Sequence, residues 1–254
     1  MSILHAIILG IVEGITEFLP ISSTAHLILA GRALQLADSE FVKSFEIIIQ
    51  LGAILSVVVL YWKKFWRIDV LAKLVVAVIP TGIIGLTVYK AIKGYLLGNV
   101  TVVLCTLVIG GIALIVFERY QTRTDAEADF SEITYGRAFL IGLFQAIAII
   151  PGVSRSAATI VGGSLIGVSR RTIVDFSFML AVPTMIAASG LELVKGRSAL
   201  AGNYSVLAVG FVVSFITAII AIKSFLGYIK KHDFAAFGWY RIVLAAVYFL
   251  VFGR

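Results

Sequence analysis

Apolar residues run along this chain in long unbroken blocks, not in the alternation of a half-buried strand. Positions 74–89, 94–117 and 198–222 contain no Asp, Glu, Lys or Arg. The latter two reach the roughly 20 residues that a helix needs to cross a bilayer, and the first extends back through Lys73 toward Asp69. Hydrocarbon leaves no backbone group unpaired, so only helices or closed barrels span it, and blocks of this length exclude the two-residue period of a barrel strand. The pattern predicts spans near 44–62, 70–89, 97–117, 172–192, 204–222 and 236–252. Two further stretches, 3–36 and 138–169, carry polar residues and a proline at their centres. The first reads as two half-helices meeting at Pro20–Ser22, since Pro is poorly tolerated inside a helix and Ser is a preferred N-cap. Both stretches are expected to form re-entrant hairpins, buried where irregular backbone at membrane depth is allowed.

The pattern recurs. Gly10 and Gly142, Glu13 and Gln145, Ser22 and Ser154, and Thr24 and Ser156 are all 132 positions apart. This predicts one membrane domain, residues 1–254, made of a repeat over about 1–117, a polar linker over about 118–136 and a second repeat over about 137–254. Three crossings per half would invert the second copy, and inverted repeats bring their broken elements together near the midplane, where such proteins bind substrate. The expected fold class is an all-α integral membrane protein of two inverted repeats, each a re-entrant helix hairpin plus three transmembrane helices.

Composition agrees: 60% of residues are hydrophobic and 14% charged, against roughly 25% charged in soluble domains. The formal charge of +7 would suggest nucleic acid in a soluble protein, but here the basic residues fall in short loops between spans. Lys63, Lys64, Arg67, Lys73, Arg119, Arg123, Lys223, Lys230 and Lys231 collect on one side, and Arg32, Lys43, Lys90, Lys93, Lys195 and Arg197 on the other. Positive-inside bias makes the first side cytoplasmic and sends both termini, with the mouth of the first hairpin, outward. Trp62, Trp66 and Trp239 read as interfacial anchors. The lone Cys105 excludes an intramolecular disulfide and a cysteine metal site, and reads as a small packing residue. With no basic n-region and with Glu13 and Glu17 breaking the first apolar run, the start is not read as a cleaved signal peptide.

Chemistry concentrates in EGITEFLPISSTAH, Glu13 to His26. Ionisable groups at membrane depth are costly and point to function. Gly10, Glu13, Gly14 and Glu17 share one helical face by i, i+3, i+4 spacing, so the two carboxylates project together, suited to a divalent cation or to acid and base work. Ser22 is expected to cap the second half-helix, with Ser23 and Thr24 in its first turn, where free N–H groups and the helix dipole attract an anion. His26, three residues beyond Ser23, is placed within reach of its hydroxyl or of that anion. The second copy keeps hydroxyls at Ser154 and Ser156 but has Arg155 in place of Ser23, Ile149 in place of Glu17 and Ala158 in place of His26. The halves have specialised, one supplying carboxylates and a nucleophile, the other a cation whose fork matches phosphate oxygens. Glu46 and Gln50, an i, i+4 pair, are expected to stand behind the site, and Asp175 and Ser177 read as packing or loop contacts.

In EGITEFLPISSTAH, in FEIIIQLG (Phe45 to Gly52) and in PGVSRSAAT (Pro151 to Thr159), the chain closely resembles the bacitracin-resistance type of undecaprenyl-pyrophosphate phosphatase. Ala25 and Ala157 stand where that family commonly has Gly. The resemblance covers nearly the whole chain. It implies a bacterial cytoplasmic-membrane enzyme that hydrolyses the terminal phosphate of undecaprenyl pyrophosphate on the outer face and returns the monophosphate to cell-wall synthesis. It also implies a divalent cation, Mg2+ or Ca2+, and carries functional roles onto Glu13, Glu17, Ser23, His26, Ser154, Arg155 and Thr159.

Together these readings give Ser23 as nucleophile, with Glu17 and His26 handling its proton or a metal and Arg155 stabilising the transferred phosphoryl group. Ser22, Thr24, Ser154, Ser156 and Thr159 would bind substrate, and Glu13 with Glu17 the metal. Direct attack by water, with Ser23 only binding phosphate, stays open, as do a homodimer and, in another function class, an inverted-repeat transporter or polyprenyl-phosphate flippase. The expected partners are the polyprenyl pyrophosphate and membrane lipids, with no nucleic acid.

Overall fold

Small polar residues open most of the helices. Ser2 caps α1 (Ile3–Thr16), Ser22 caps α2 (Ser23–Ala33), Ser39 caps α3 (Glu40–Phe65) and Asn99 caps α5 (Val100–Tyr120), each accepting a first-turn N–H that has no helical carbonyl. Between α3 and α5 runs α4 (Ile68–Tyr95). The second half repeats the order: α6 (Tyr135–Ala146) capped by Thr134, a 3-10 turn at Ile147–Ile149, α7 (Arg155–Leu165) capped by Ser154, then α8 (Arg170–Gly196), α9 (Tyr204–Tyr228) and α10 (Ala235–Phe252). The computed structural model describes residues 1–37, 39–96, 99–121, 128–196 and 203–252, without the side chains of 89–95 and 191–196. Within these, every regular element is helical, and α3, α4, α5, α8, α9 and α10 are long and apolar enough to cross a membrane.

The spans run past their expected ends. Thus α3, α4 and α8 exceed 44–62, 70–89 and 172–192 at both termini. α3 runs between its caps Ser39 and Trp66 and carries Lys63 and Lys64 inside its last turn, because a helix ends at its cap and not where charges begin. α5 starts later than 97 because Asn99 takes the N-cap, and it ends inside the expected linker at Tyr120. Further on, a 3-10 turn at Phe130–Glu132 is held by Glu132, whose carboxylate accepts from the Ser169 amide and hydroxyl at 2.7 and 2.9 Å. The Ser131 hydroxyl and amide donate to Asp129 and hold its carboxyl below the usual range. Arg123 and Arg197 lie outside the described residues, as do the side chains of Lys90, Lys93 and Lys195.

The two halves interlock. α1 packs along α9 and α6 along α4, so the first helix of each half lies against a long helix of the other. Glycines permit the approach: a Cβ on Gly14 would strike the Thr217 hydroxyl and the Ser214 carbonyl, and one on Gly142 the Ala77 carbonyl and Pro80. Threonines lock both contacts, Thr81 Oγ1 donating to Gly142 O at 2.8 Å and Thr217 Oγ1 to Gly10 O at 3.4 Å. Phe18, just past α1, meets Phe178 of α8 edge to face at 5.3 Å in the core. Cys105 is exposed on α5 and is not the buried packing residue expected. Asp175 is no loop residue: 1% exposed on α8, it pairs with Lys64 at 2.9 Å and accepts from the Tyr61 hydroxyl at 2.7 Å, tying α8 to α3.

Candidate active site

Both helix breaks, Glu17 to Ser22 and Ile147 to Ser154, point at one cavity of about 140 Å3. The first half contributes Glu17, Ser22, Ser23, Thr24 and Gln50, and the second Ala148, Val153, Ser154, Arg155 and Met185. Pockets that enclose a whole drug-sized ligand run to about 300–1,000 Å3. This cavity therefore suits a headgroup and not a long chain.

Glu17 is the hub. Its Oε2 accepts from the buried Ser23 hydroxyl at 2.5 Å, and its Oε1 from Nη2 of the partly buried Arg155 at 2.9 Å. A carboxylate that receives the serine O–H is positioned to take its proton, and the guanidinium on the other oxygen balances its charge. Arg155 Nη1 donates to the Ser177 carbonyl at 2.7 Å, and the guanidinium lies over the Phe18 ring at 5.9 Å. Its Nε is buried without a partner among the described residues, a donor left over for an anion. Thr159 Oγ1 and Ser177 Oγ are 2.6 Å apart, so Thr159 supports the serine that holds Arg155. Ser156 lies 3.2 Å from the Ser154 hydroxyl. Ser156 and Thr159 are both fully buried and do not line the cavity.

The α1–α2 turn is strained where the α6–α7 turn is not. Ser22 adopts φ 71°, ψ 94°, a left-handed conformation that costs a side-chain-bearing residue on the order of 1–3 kcal/mol. Ser154, which caps α7 as Ser22 caps α2, has φ −74°, and the positive φ of that turn falls on Gly152 at 88°. His26 does not face Ser23 in this structure. Its Nδ1 is 2.7 Å from Ser22 O and its Nε2 2.8 Å from the Tyr240 hydroxyl, so both ring nitrogens are engaged and the acceptor for Ser23 is Glu17.

Glu13 is fully buried, and neither of its oxygens meets a donor among the described residues. It lies close enough to Glu17 and to half-buried Glu46 for their charges to act on one another. Gln145, 132 positions further on, is satisfied, donating to Thr81 and Thr184 at 2.9 and 3.2 Å. An orphaned buried carboxylate beside a second one fits a divalent cation. No group of three or more His, Cys, Asp or Glu converges on a metal position among the described residues, so the two carboxylates would hold such an ion together with other oxygens, those of substrate and water among them, as Mg2+ is usually held.

A sequence profile described as "Bacitracin resistance protein BacA" matches residues 6–247. The chain belongs to that family. It is 51% identical over 246 residues to the undecaprenyl-diphosphatase of Aquifex aeolicus, covering 96% of each chain. The protein of that name from a Sulfurihydrogenibium species is 50% identical, with 98% of this chain and 99% of the relative covered. The Bdellovibrio bacteriovorus undecaprenyl-diphosphatase is also 50% identical, over 97% of this chain and 95% of its own. The three stretches that carry the sequence resemblance, 13–26, 45–52 and 151–159, supply all of the cavity's lining except Ala148 and Met185, but they omit two of its supports. Arg241, 1% exposed, donates to Pro20 O and Gly152 O at 3.4 and 3.1 Å and so holds both turns at once. Tyr240, beside it, holds His26. Arg241 was detectable as the single charge in an 18-residue apolar helix. Tyr240 gave no signal, since tyrosines are common near span ends.

Proposed function

We propose that this BacA-family chain is a membrane phosphatase that removes the terminal phosphate of undecaprenyl pyrophosphate, giving undecaprenyl phosphate and inorganic phosphate. The observation that carries the reading is the line Ser23, Glu17, Arg155, a hydroxyl, its base and a cation drawn from both halves to one headgroup-sized cavity. As Ser23 Oγ attacks the terminal phosphorus its proton passes to Glu17 Oε2, and the bond from that phosphorus to the bridging oxygen breaks, releasing the lipid monophosphate. Water then cleaves the phosphoserine with Glu17 returning the proton. Arg155 and the first-turn N–H groups of α2 and α7 meet the charge on the phosphoryl oxygens. Glu13 and Glu17 would hold a divalent cation, which supplies neutralisation of phosphate charge. Gln50, Thr24 and Ser154 line the cavity around the headgroup. Phosphate release from a polyprenyl pyrophosphate by the pure protein in detergent tests this directly. A transporter or flippase releases none.

Within this reading Arg155→Lys keeps a charge but cannot make the Glu17 and Ser177 contacts together and still offer Nε. At about 1.5–3 kcal/mol per charged hydrogen bond, kcat/KM is expected to fall roughly ten- to a hundredfold. Unchanged kinetics with a lowered Tm would make Arg155 structural only.

The proposed setting is the bacterial cytoplasmic membrane, with the two halves inverted and the cavity open to the outer face. The charge bias of the loops supports this orientation. In a Cys105→Ala background, an impermeant thiol reagent added outside is expected to label Ala37→Cys and not Trp66→Cys. Labelling of position 66 alone would reverse the orientation.

A further inference from the structure

We infer that His26 works as a positioning residue and not as a proton carrier, and that Tyr240 fixes the tautomer in which it does so. Three observations lead there. The Ser22 carbonyl can only accept, so the 2.7 Å contact requires a proton on His26 Nδ1. In the neutral ring Nε2 is then the acceptor, and the Tyr240 hydroxyl at 2.8 Å is its donor, with the ring planes parallel within 1°. Neither nitrogen is left to serve Ser23 or a phosphate oxygen.

What His26 holds is the residue whose backbone is strained. Ser22 O receives both the His26 amide at 3.2 Å and the His26 ring, one donor for each lone pair, and this grip fixes the peptide that leads into Ser23. The molecule contains its own control. In the second copy His26 is replaced by Ala158, and there the residue before the helix, Ser154, has an ordinary φ of −74° with nothing to restrain. Latch and strain occur together in one half and are both missing from the other. The geometry that the latch protects is the 2.5 Å approach of Ser23 to Glu17. Tyr240 is 44% exposed on α10, and the adjacent Arg241 donates to Pro20 O. One dipeptide of α10 thus anchors the α1–α2 turn at Pro20 and, through His26, at Ser22.

This rests on the phosphatase reading for its kinetic arm only. Asn places an amide N–H close to where His carries Nδ1–H, but it cannot move a proton. His26→Asn is therefore expected to keep turnover within about tenfold of wild type, whereas His26→Ala loses at least roughly thirtyfold in kcat with KM little changed. Tyr240→Phe should cost about three- to tenfold in kcat, the worth of one neutral hydrogen bond, and nothing further in the His26→Asn background, since the tautomer no longer matters there. His26→Asn as inactive as His26→Ala would make the imidazole a proton carrier and overturn the inference. So would a Tyr240→Phe effect that is missing in wild type, or one that persists at full size in the His26→Asn background. Nitrogen NMR of 15N-histidine protein supplies an arm that needs no activity: the chain has 3 histidines, and His26 should show the Nδ1–H tautomer, lost or mixed in Tyr240→Phe. An Nε2–H ring in the wild type would refute the latch even if no phosphate were ever released.

Discussion

Ser23→Ala is expected to abolish turnover, by at least about a thousandfold in kcat, while leaving lipid binding and the melting temperature close to wild type. The separation follows from where the hydroxyl sits. Ser22, not Ser23, caps α2, so the helix keeps its N-terminal bond when the Ser23 oxygen is removed. Ser23 Oγ makes one described hydrogen bond, to Glu17, and Glu17 retains Arg155 when that bond is lost. Little folding free energy is therefore at stake, whereas the atom that forms the new bond to phosphorus is gone. The readouts are phosphate release at saturating polyprenyl pyrophosphate and binding of the same lipid to the variant. Near-normal release would remove Ser23 from the nucleophile's role and favour direct attack by water.

Glu17→Gln should be as severe in turnover and, unlike Ser23→Ala, should also cost stability. The amide oxygen is a poor base for the Ser23 proton, and the neutral side chain leaves the Arg155 guanidinium, 12% exposed, without its counter-charge. Breaking a buried ion pair by removing one partner typically costs about 3–5 kcal/mol, because the surviving charge is stranded. A kcat loss of at least about a hundredfold is expected together with a clear drop in Tm. The double variant Glu17→Gln with Arg155→Gln should recover much of the Tm but none of the activity, since the stranded charge is gone and the base is still missing. Recovery of activity in the double variant would show that the pair matters only for folding.

The sequence made the helical class legible through three charge-free blocks, and the broken elements through Pro20 and the Ser22 to Thr24 cluster, because burial of charge and the fixed φ of proline act locally. It also singled out Glu17, Ser23 and Arg155 as one constellation, and these are the residues joined at 2.5 and 2.9 Å. What it could not give was direction. A helical face is shared by His26 and Ser23 whichever way the ring turns, and only the approach of α10 decides that His26 meets Tyr240. Asp175 and Ser177 looked incidental for the same reason: each takes its role from a partner more than twenty residues away, Lys64 for one and Arg155 for the other. The interlocking of α1 with α9 and of α6 with α4 lies between halves, where a repeat read from spacing carries no information.

The central claim is that Ser23, activated by Glu17, takes the terminal phosphoryl group. It is tested most directly by a rapid quench of the wild-type protein with polyprenyl pyrophosphate labelled at its terminal phosphorus, followed by mapping of protein-bound label. The account expects acid-stable label on Ser23, formed before labelled inorganic phosphate appears, with unlabelled lipid monophosphate as the co-product. Labelled phosphate released at full rate with no label on the protein at any time would contradict it.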